Sequence, residues 1–139
     1  MVKDALLAIL NADIRLSKHF CLREFFESYV GVINNINNCP PTYKKLSEVL
    51  GNLQKLAEKL EIVRAANGDK PIYVTSGYRC PKINQLVNGA FYSTHMDGLA
   101  ADITCSDLHY LAESIEWLEL PVYWYADYDK NYIHINLKL

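Results

Sequence analysis

Two histidines and one aspartate stand where a fold could bring them together around a metal ion. His95 and Asp102 lie in the segment "YSTHMDGLAADIT" (residues 92–104), and His134 lies in "NYIHINL" (residues 131–137). Two imidazoles and one carboxylate are suitable ligands for zinc, and three protein ligands leave a fourth position open, as in catalytic sites. The same residues could also be a surface-loop histidine, a hydrogen-bonded buried aspartate and an edge-strand histidine. Spacing alone leaves both interpretations open.

The elements that carry these residues favour an arrangement in which they meet. The segment "LAADIT" is typical of a strand, and the alternation of its side chains puts Asp102 on one face among small neighbours. In "NYIHINL" the isoleucines and the leucine form an apolar face, which leaves His134 pointing the opposite way, toward a groove or solvent. Gly98 permits a tight backbone path that could fold the loop bearing His95 back over Asp102.

A long amphipathic helix is predicted before these motifs, within residues 40–68. Charged residues alternate with apolar ones at helical spacing, and a glycine follows at the end. Such a helix buries one stripe of side chains against the rest of the domain. The predicted stripe consists of Leu46, Leu50, Leu53, Leu56 and Leu60.

Shorter elements complete an α+β pattern. "LREFFES" predicts a short helix, "KPIYVTSGYRC" opens as a strand, and "PKINQLVNG" has a helical pattern. "SDLHYLAESIEWL" predicts a helix with Ser106 as its N-cap, and "PVYWYA", the turn "DYDK" and "NYIHINLKL" predict a β-hairpin. Because helices come first and strands later, we expect one α+β domain over residues 1–139 with a small, mainly antiparallel sheet. Residues 1–15 form its helical lead-in.

Composition excludes several other classes of protein. The chain has 139 residues, half of them hydrophobic, which is enough for one domain with a core and too short for two. A net charge of -2, with bases and acids interleaved, predicts no nucleic-acid partner. No run approaches the roughly 18 apolar residues of a membrane helix, and the apolar part of "MVKDALLAILNAD" is too brief for a signal peptide. We therefore expect neither membrane insertion nor export by the chain's own signal.

The four cysteines predict neither a zinc knuckle nor a disulfide framework. They are widely spaced and contain no C-x-x-C pair, so we expect reduced, partly buried thiols. Among the possible pairs, Cys80 and Cys105 are the first candidates for proximity. The positions are Cys21, Cys39, Cys80 and Cys105.

Three ordered motifs resemble those of the zinc D-alanyl-D-alanine carboxypeptidases and their relatives, the D,D-dipeptidases and the phage L-alanyl-D-glutamate endopeptidases. "STHMDGLAAD" fits the S-x-H-x-x-G-x-A-x-D signature of that family residue for residue. "VTSGYRCPKIN" is similar to its S-G-Y-R segment, "YIHINL" to its terminal strand with the last zinc ligand, and "LSKHFCLREF" to its lead-in. The resemblance extends from residue 16 to the C-terminus. It implies a Hedgehog/DD-peptidase-like fold, with a small antiparallel sheet packed against helices.

The resemblance also implies roles for particular residues. Arg79 would be a cationic group near the scissile carbonyl, with an ordinary surface salt bridge as the alternative. Ser93 would support the metal ligands or contact substrate, and a turn residue is its other interpretation. Tyr78 is grouped with Ser93 as substrate-binding, although packing is its other expected role. One zinc ion per chain is implied, with ligands His95, Asp102 and His134.

The expected general base is where this chain departs from the family pattern. In the family that base is an acid, usually glutamate, on the strand before the last histidine. Here the corresponding stretch "YADYDKNYIH" contains no glutamate. Asp127 is the best positional match and Asp129 the second, although Asp129 looks like part of the turn. Aspartate is one methylene shorter, so the departure bears on activity more than on metal binding.

The resemblance implies a zinc peptidase that cleaves the peptide stem of bacterial peptidoglycan with a metal-activated water. The bond would be that of a D-Ala-D-Ala end, as in a carboxypeptidase, or an internal L-Ala-D-Glu bond, as in an endolysin. The alternative is a non-catalytic zinc- or cell-wall-binding domain of a phage particle or larger assembly. We expect a monomer, made in the cytoplasm of a phage-infected or bacterial cell, that reaches the cell wall after release.

Overall fold

The computed structural model describes residues 1–138, which form five α-helices and one four-stranded antiparallel sheet. Two 3-10 helices, Leu22–Phe25 and Thr94–Asp97, lie between these elements. The predicted α+β class is therefore confirmed. The helices are α1 (Val2–Asn11), α2 (Tyr29–Ile33), α3 (Tyr43–Ala66), α4 (Pro81–Leu86) and α5 (Leu108–Leu118), and the strands are β1 (Tyr73–Ser76), β2 (Ala100–Thr104), β3 (Val122–Asp127) and β4 (Tyr132–Leu137).

The register of the sheet brings polar side chains from different strands onto one face. The strand order is β1-β2-β4-β3, and β3 and β4 form the predicted hairpin. Asp102 of β2 lies opposite His134 of β4, and His134 lies opposite Tyr125 of β3. Directly opposed residues of antiparallel strands share a face, so these three side chains are neighbours. The prediction that Asp102 and His134 lie on the same face is confirmed.

The opposite face of the sheet is part of the hydrophobic core. Ile103, Ile133 and Ile135 are fully buried there, as the period-two pattern predicts. They belong to one apolar cluster with the buried stripe of α3. Of the five leucines predicted for that stripe, only Leu50 is partly exposed. The remaining buried positions of α3 are Val49, Ala57 and Val63.

Helix α3 begins and ends close to its predicted limits. The Thr42 side chain accepts a hydrogen bond from the Lys45 backbone N–H and caps the N-terminus. The last helical residue is Ala66, and Gly68 follows with a φ of 70°, a left-handed conformation that glycine adopts without strain. The helix is therefore a few residues shorter at each end than the amphipathic segment.

One detail of the predicted elements needs correction. The N-cap of α5 is Asp107, whose side chain accepts from the Tyr110 backbone N–H at 3.1 Å, and is not Ser106. The short helix predicted in "LREFFES" is a 3-10 helix of four residues. Burial and then the Cys80 thiol raise the pKa of Cys39, and the closeness of Cys80 to Cys105 stays a prediction.

The four thiols are free, and only Cys80 is fully buried. In the region covered by residues 1–138, no helix is both long and apolar enough to cross a membrane.

Replacing Leu53 by alanine should lower the free energy of unfolding by about 2 to 5 kcal/mol, because the side chain is fully buried and its loss leaves a cavity. Urea denaturation followed by circular dichroism measures this loss. Leu50→Ala is the matched control on the same helix, and its partly exposed side chain predicts a smaller loss. Equal losses for the two variants would mean that Leu53 is no more deeply buried than Leu50, and that the stripe faces another way.

Candidate metal centre

Three side chains converge at the centre of the polar face of the sheet. The nearest ligand atoms of His95, Asp102 and His134 all lie within 4.8 Å of one another. Oδ1 of Asp102 is 3.2 Å from Nε2 of His95 and 3.0 Å from Nδ1 of His134. The three residues predicted as metal ligands are thus brought together, although they come from a short 3-10 helix and two strands.

The loop that carries His95 is fixed by its own side chains and by α3. Within the loop, Ser93 Oγ accepts a hydrogen bond from the His95 backbone N–H at 3.2 Å. From α3, the Asn52 side chain donates to the Asp97 carbonyl at 2.8 Å, and Lys45 forms an ion pair with the Asp97 carboxylate. These contacts hold the His95 backbone over β2.

Gly98 lets this loop approach α3 closely. Its φ is 73°, in the left-handed region, as expected of the glycine that turns the loop. A side chain at this position would bring a Cβ atom to 2.8 Å from the Val49 carbonyl oxygen. Gly98 therefore serves both the turn and the contact with the long helix.

Each histidine donates its other ring N–H away from the centre. The His95 Nδ1 atom lies 2.7 Å from the Gly77 carbonyl oxygen, which can only accept, so Nδ1 carries the proton. His134 Nε2 lies 2.9 Å from Asn136 Oδ1, and the Asn136 amide nitrogen donates to the Leu137 carbonyl. In the neutral imidazoles, the nitrogens that face Asp102 therefore carry lone pairs. This orientation of the second ring nitrogen is typical of histidines that bind metals.

A cation fits the space among these three atoms. Two lone-pair nitrogens and a carboxylate oxygen repel one another at such distances unless a proton or a metal ion stands between them. Burial alone raises the pKa of the Asp102 carboxyl. When the facing nitrogens of His134 and His95 carry protons, their hydrogen bonds and positive charge outweigh that effect and hold the pKa of the carboxyl well below its usual range. A cation among the three atoms would act in the same direction. A charged carboxylate and two imidazoles are a donor set that zinc accepts.

Arg79 is held inside the site by three hydrogen bonds. Its Nε donates to Ser76 Oγ at 3.1 Å, Nη1 to Asn84 Oδ1 at 3.3 Å, and Nη2 to Asp102 Oδ2 at 3.2 Å. Only 16% of the side chain is exposed. Arg79 is therefore not an ordinary surface arginine, because it pairs with the carboxylate oxygen of Asp102 that faces away from the histidines.

A cleft of about 490 Å³ opens beside the three converging residues. Arg79 and Ser93, both predicted as site residues, line it. Three further lining residues of the hairpin, Tyr125, Lys130 and Tyr132, were not predicted as site residues. The pairing of the hairpin strands was the signal that could have found the tyrosines, since both lie on the face of His134.

The two tyrosines form a small aromatic wall next to His134. The Tyr125 ring stacks on the His134 imidazole, with centroids 5.1 Å apart. The Tyr125 and Tyr132 hydroxyls lie 3.4 Å from each other. This hydrogen bond and then burial raise the pKa of Tyr132 well above its ordinary value, so its phenol keeps the proton that it can donate.

Tyr78 does not line the cleft, contrary to its predicted contact with substrate. Its side chain is 1% exposed and packs against Phe26, with ring centroids 5.4 Å apart. Burial raises its pKa far above the ordinary value for tyrosine. A large apolar ring buries more surface in the core than in an open cleft, and the alternative role of packing describes this residue.

The two candidate base residues differ in their surroundings. Asp127 is the last residue of β3 and lies opposite Tyr132, hence on the face of His134. Its Oδ1 accepts a hydrogen bond from the Lys130 backbone N–H at 3.0 Å, an Asx-type turn contact. Asp129 is exposed within the turn. The side chain that bonds to the backbone of the turn is therefore that of Asp127.

The two remaining histidines lie elsewhere. His19 Nδ1 is 2.6 Å from Glu61 Oε1, and the ring of His109 stacks on Tyr128. Within residues 1–138, neither belongs to the group that could hold a metal ion.

Two comparisons relate this arrangement to known proteins. A sequence model of the peptidase M15 family matches residues 18–136. A stretch of 45 residues is 51% identical to a zinc D-Ala-D-Ala carboxypeptidase of Streptomyces albus G. That stretch makes up 32% of this chain and 18% of the relative, so the likeness spans less than a fifth of the relative's length.

Proposed function

This chain belongs to the peptidase M15 family, and from that premise we propose that it is a zinc-dependent peptidase acting on the peptide stem of bacterial peptidoglycan. The observation that carries the proposal is the convergence of His95, Asp102 and His134 on one point beside an open cleft. The name of the Streptomyces relative supports zinc and a D-Ala-D-Ala substrate class.

The proposed metal ligands are these same three residues, with one zinc ion per chain. Zinc bound there would supply a Lewis acid and a water that ionises near neutral pH. The chain's own contribution is to orient the ligands. Gly77 and Asn136 fix which ring nitrogens face the centre, and Arg79 holds the free oxygen of Asp102.

Arg79 and Ser93 are placed to contact the substrate. A guanidinium has five N–H donors, and three of those of Arg79 are used by Ser76, Asn84 and Asp102. Two remain for the carbonyl oxygen of the scissile bond, where negative charge develops in the transition state. The Ser93 oxygen accepts from the His95 backbone, which leaves its own hydroxyl hydrogen for the substrate.

Asp127 is the proposed general base. One hydrogen bond holds its Oδ1, and Oδ2 remains to take a proton from the attacking water and pass it to the leaving amine. The residue lies on the face of His134, two residue pairs beyond Tyr125 in the hairpin. The bond broken would be that of a D-Ala-D-Ala end or an internal L-Ala-D-Glu bond.

A second candidate function is non-catalytic binding of zinc or of cell-wall peptide, as part of a phage particle or larger assembly. The observation in its favour is that Asp102, itself a proposed ligand, is the one carboxylate among the residues described as lining the cleft. For either function, the site of action would be the bacterial cell wall, reached after release from the cell in which the chain is made.

Hydrolysis of purified stem peptides, followed by mass spectrometry, tests the proposal and identifies the bond. One peptide should end in D-Ala-D-Ala and the other should contain the L-Ala-D-Glu bond. We expect a chelator to abolish cleavage and added zinc to restore it, because the ligand set is useless for hydrolysis without its ion. Cleavage that survives chelation would contradict a metal mechanism. Stoichiometric zinc without cleavage of either peptide would favour the non-catalytic alternative.

A further inference from the structure

We infer that Lys130 binds a carboxylate of the substrate at the rim of the metal cleft. The inference rests on the proposed function and adds a determinant of substrate choice to it. Two cationic side chains line the cleft, Arg79 and Lys130. Their surroundings differ, because Arg79 already pairs with a buried carboxylate whereas Lys130 forms no ion pair with a described residue.

The charge of Arg79 is already compensated. Its Nη2 lies 3.2 Å from Asp102 Oδ2, and both side chains are largely buried, with 16% and 13% exposed. The other contacts of its guanidinium, to Ser76 and Asn84, hold it in that position. Turning Arg79 toward a substrate carboxylate would leave the buried Asp102 oxygen without its partner, which is costly.

Lys130 is in the opposite situation. It lies in the turn between β3 and β4, and its side chain is exposed at the edge of the cleft. Asp127 and Asp129 are its neighbours in sequence, but neither carboxylate forms an ion pair with its ammonium group in the part of the chain that the structure describes. Lys130 therefore carries a positive charge into the cleft that no described residue neutralises.

The backbone of this turn is nevertheless ordered. The Lys130 N–H donates to Asp127 Oδ1 at 3.0 Å, and Asn131 takes up a left-handed φ of 61° to close the hairpin. The position of the Lys130 Cα is thus tied to the same strand ends that carry Tyr132 and His134. An ammonium group on a flexible stem anchored there can reach an anion in the cleft.

Stem peptides offer such an anion near each candidate bond. A D-Ala-D-Ala end carries a terminal carboxylate, and D-Glu keeps one free carboxylate when its other carboxyl group is in the chain. Both present the same chemistry to an ammonium group. The carboxylate that Lys130 recognises would distinguish a carboxypeptidase from an endopeptidase. The anchored carboxylate determines which peptide bond lies next to the three proposed ligands.

The test compares the parent protein with Lys130→Gln on three stem peptides: one with all carboxylates free, one amidated at its C-terminus and one amidated at D-Glu. For the free peptide we expect the substitution to raise KM about tenfold, with the effect on KM and not on kcat. The peptide whose amidation removes the recognised carboxylate should show no difference between parent and variant. Lys130→Arg should restore most of the affinity, and the tenfold difference should shrink at high salt.

Lys70→Gln is the matched control, because Lys70 is an exposed lysine of another turn. An equal rise in KM for the free and both amidated peptides would overturn the inference, as would no change for any of them. If the parent cleaves no peptide, the proposed activity fails. Calorimetric titration of the zinc-loaded proteins with the same peptides then tests whether Lys130 binds the carboxylate. Binding by the parent about tenfold tighter than by Lys130→Gln supports it, and equal or absent binding overturns it.

Discussion

Replacing His95 by alanine is expected to reduce the zinc content from about one ion per chain to a small fraction of that and to abolish hydrolysis. The imidazole is nearly completely buried and aims Nε2 at the point where Asp102 and His134 also converge. Asp102 and His134 alone are not enough to hold the ion, since zinc sites of this kind use three protein ligands. Elemental analysis of protein purified without added metal measures the loss.

His109→Ala is the control for this experiment, because His109 is an exposed histidine that stacks on Tyr128 outside the site. Equal zinc in the parent and in His95→Ala would refute the ligand assignment. Asn136→Ala provides a graded comparison, since it removes the acceptor of the His134 Nε2 proton and leaves all three ligands. Loss of such an orienting contact is expected to weaken zinc binding about 10- to 100-fold.

The parts of this fold that follow local periodicity could be predicted from the sequence. Alternation in "LAADIT" and "NYIHINL" placed Asp102 and His134 on one face, and the register of β2 and β4 makes them direct neighbours. The spacing of leucines predicted α3 within a few residues. In each case the pattern arises from which side the chain buries, and that information is present in a short window.

The rest depends on contacts between residues that are distant in sequence. Asn52 and Asp97 are 45 positions apart, and no local pattern indicates that α3 would hold the His95 loop. The burial of Tyr78 against Phe26 is likewise a tertiary contact, which a motif of neighbouring residues cannot reveal. The N-cap of α5 was misplaced by one residue because serine and aspartate are similarly good caps, so that propensity does not choose between adjacent positions.

Arg79 has a partner in the structure besides the substrate group that the resemblance implies. The resemblance places a cation near the scissile carbonyl, whereas the structure shows the guanidinium paired with Asp102. The two descriptions are compatible, because a fixed guanidinium with unused N–H groups is preorganised for a developing negative charge. Arg79 need not also bind the substrate's carboxylate, and we assign that contact to Lys130.

Replacing Asp127 by asparagine is expected to lower kcat on a stem peptide by about a hundredfold or more, with zinc content unchanged. Proton transfer by a positioned carboxylate contributes an effect of this order, and asparagine cannot accept the proton. The substitution keeps a side-chain carbonyl oxygen, so the hydrogen bond from the Lys130 backbone N–H can persist and the turn can keep its shape. Steady-state kinetics together with metal analysis separate a chemical effect from loss of the site.

Asp129→Asn is the matched control, being the same change two residues along in the same turn. Its carboxylate is exposed, and we expect kcat within about twofold of the parent, since surface substitutions of this kind rarely perturb a site. The reverse pattern, with a large loss in Asp129→Asn alone, would assign the base to Asp129. A parent protein that holds zinc and cleaves no stem peptide would remove the general base altogether. The absence of a glutamate before His134 would then be the physical reason, because the shorter aspartate side chain would fail to reach the attacking water.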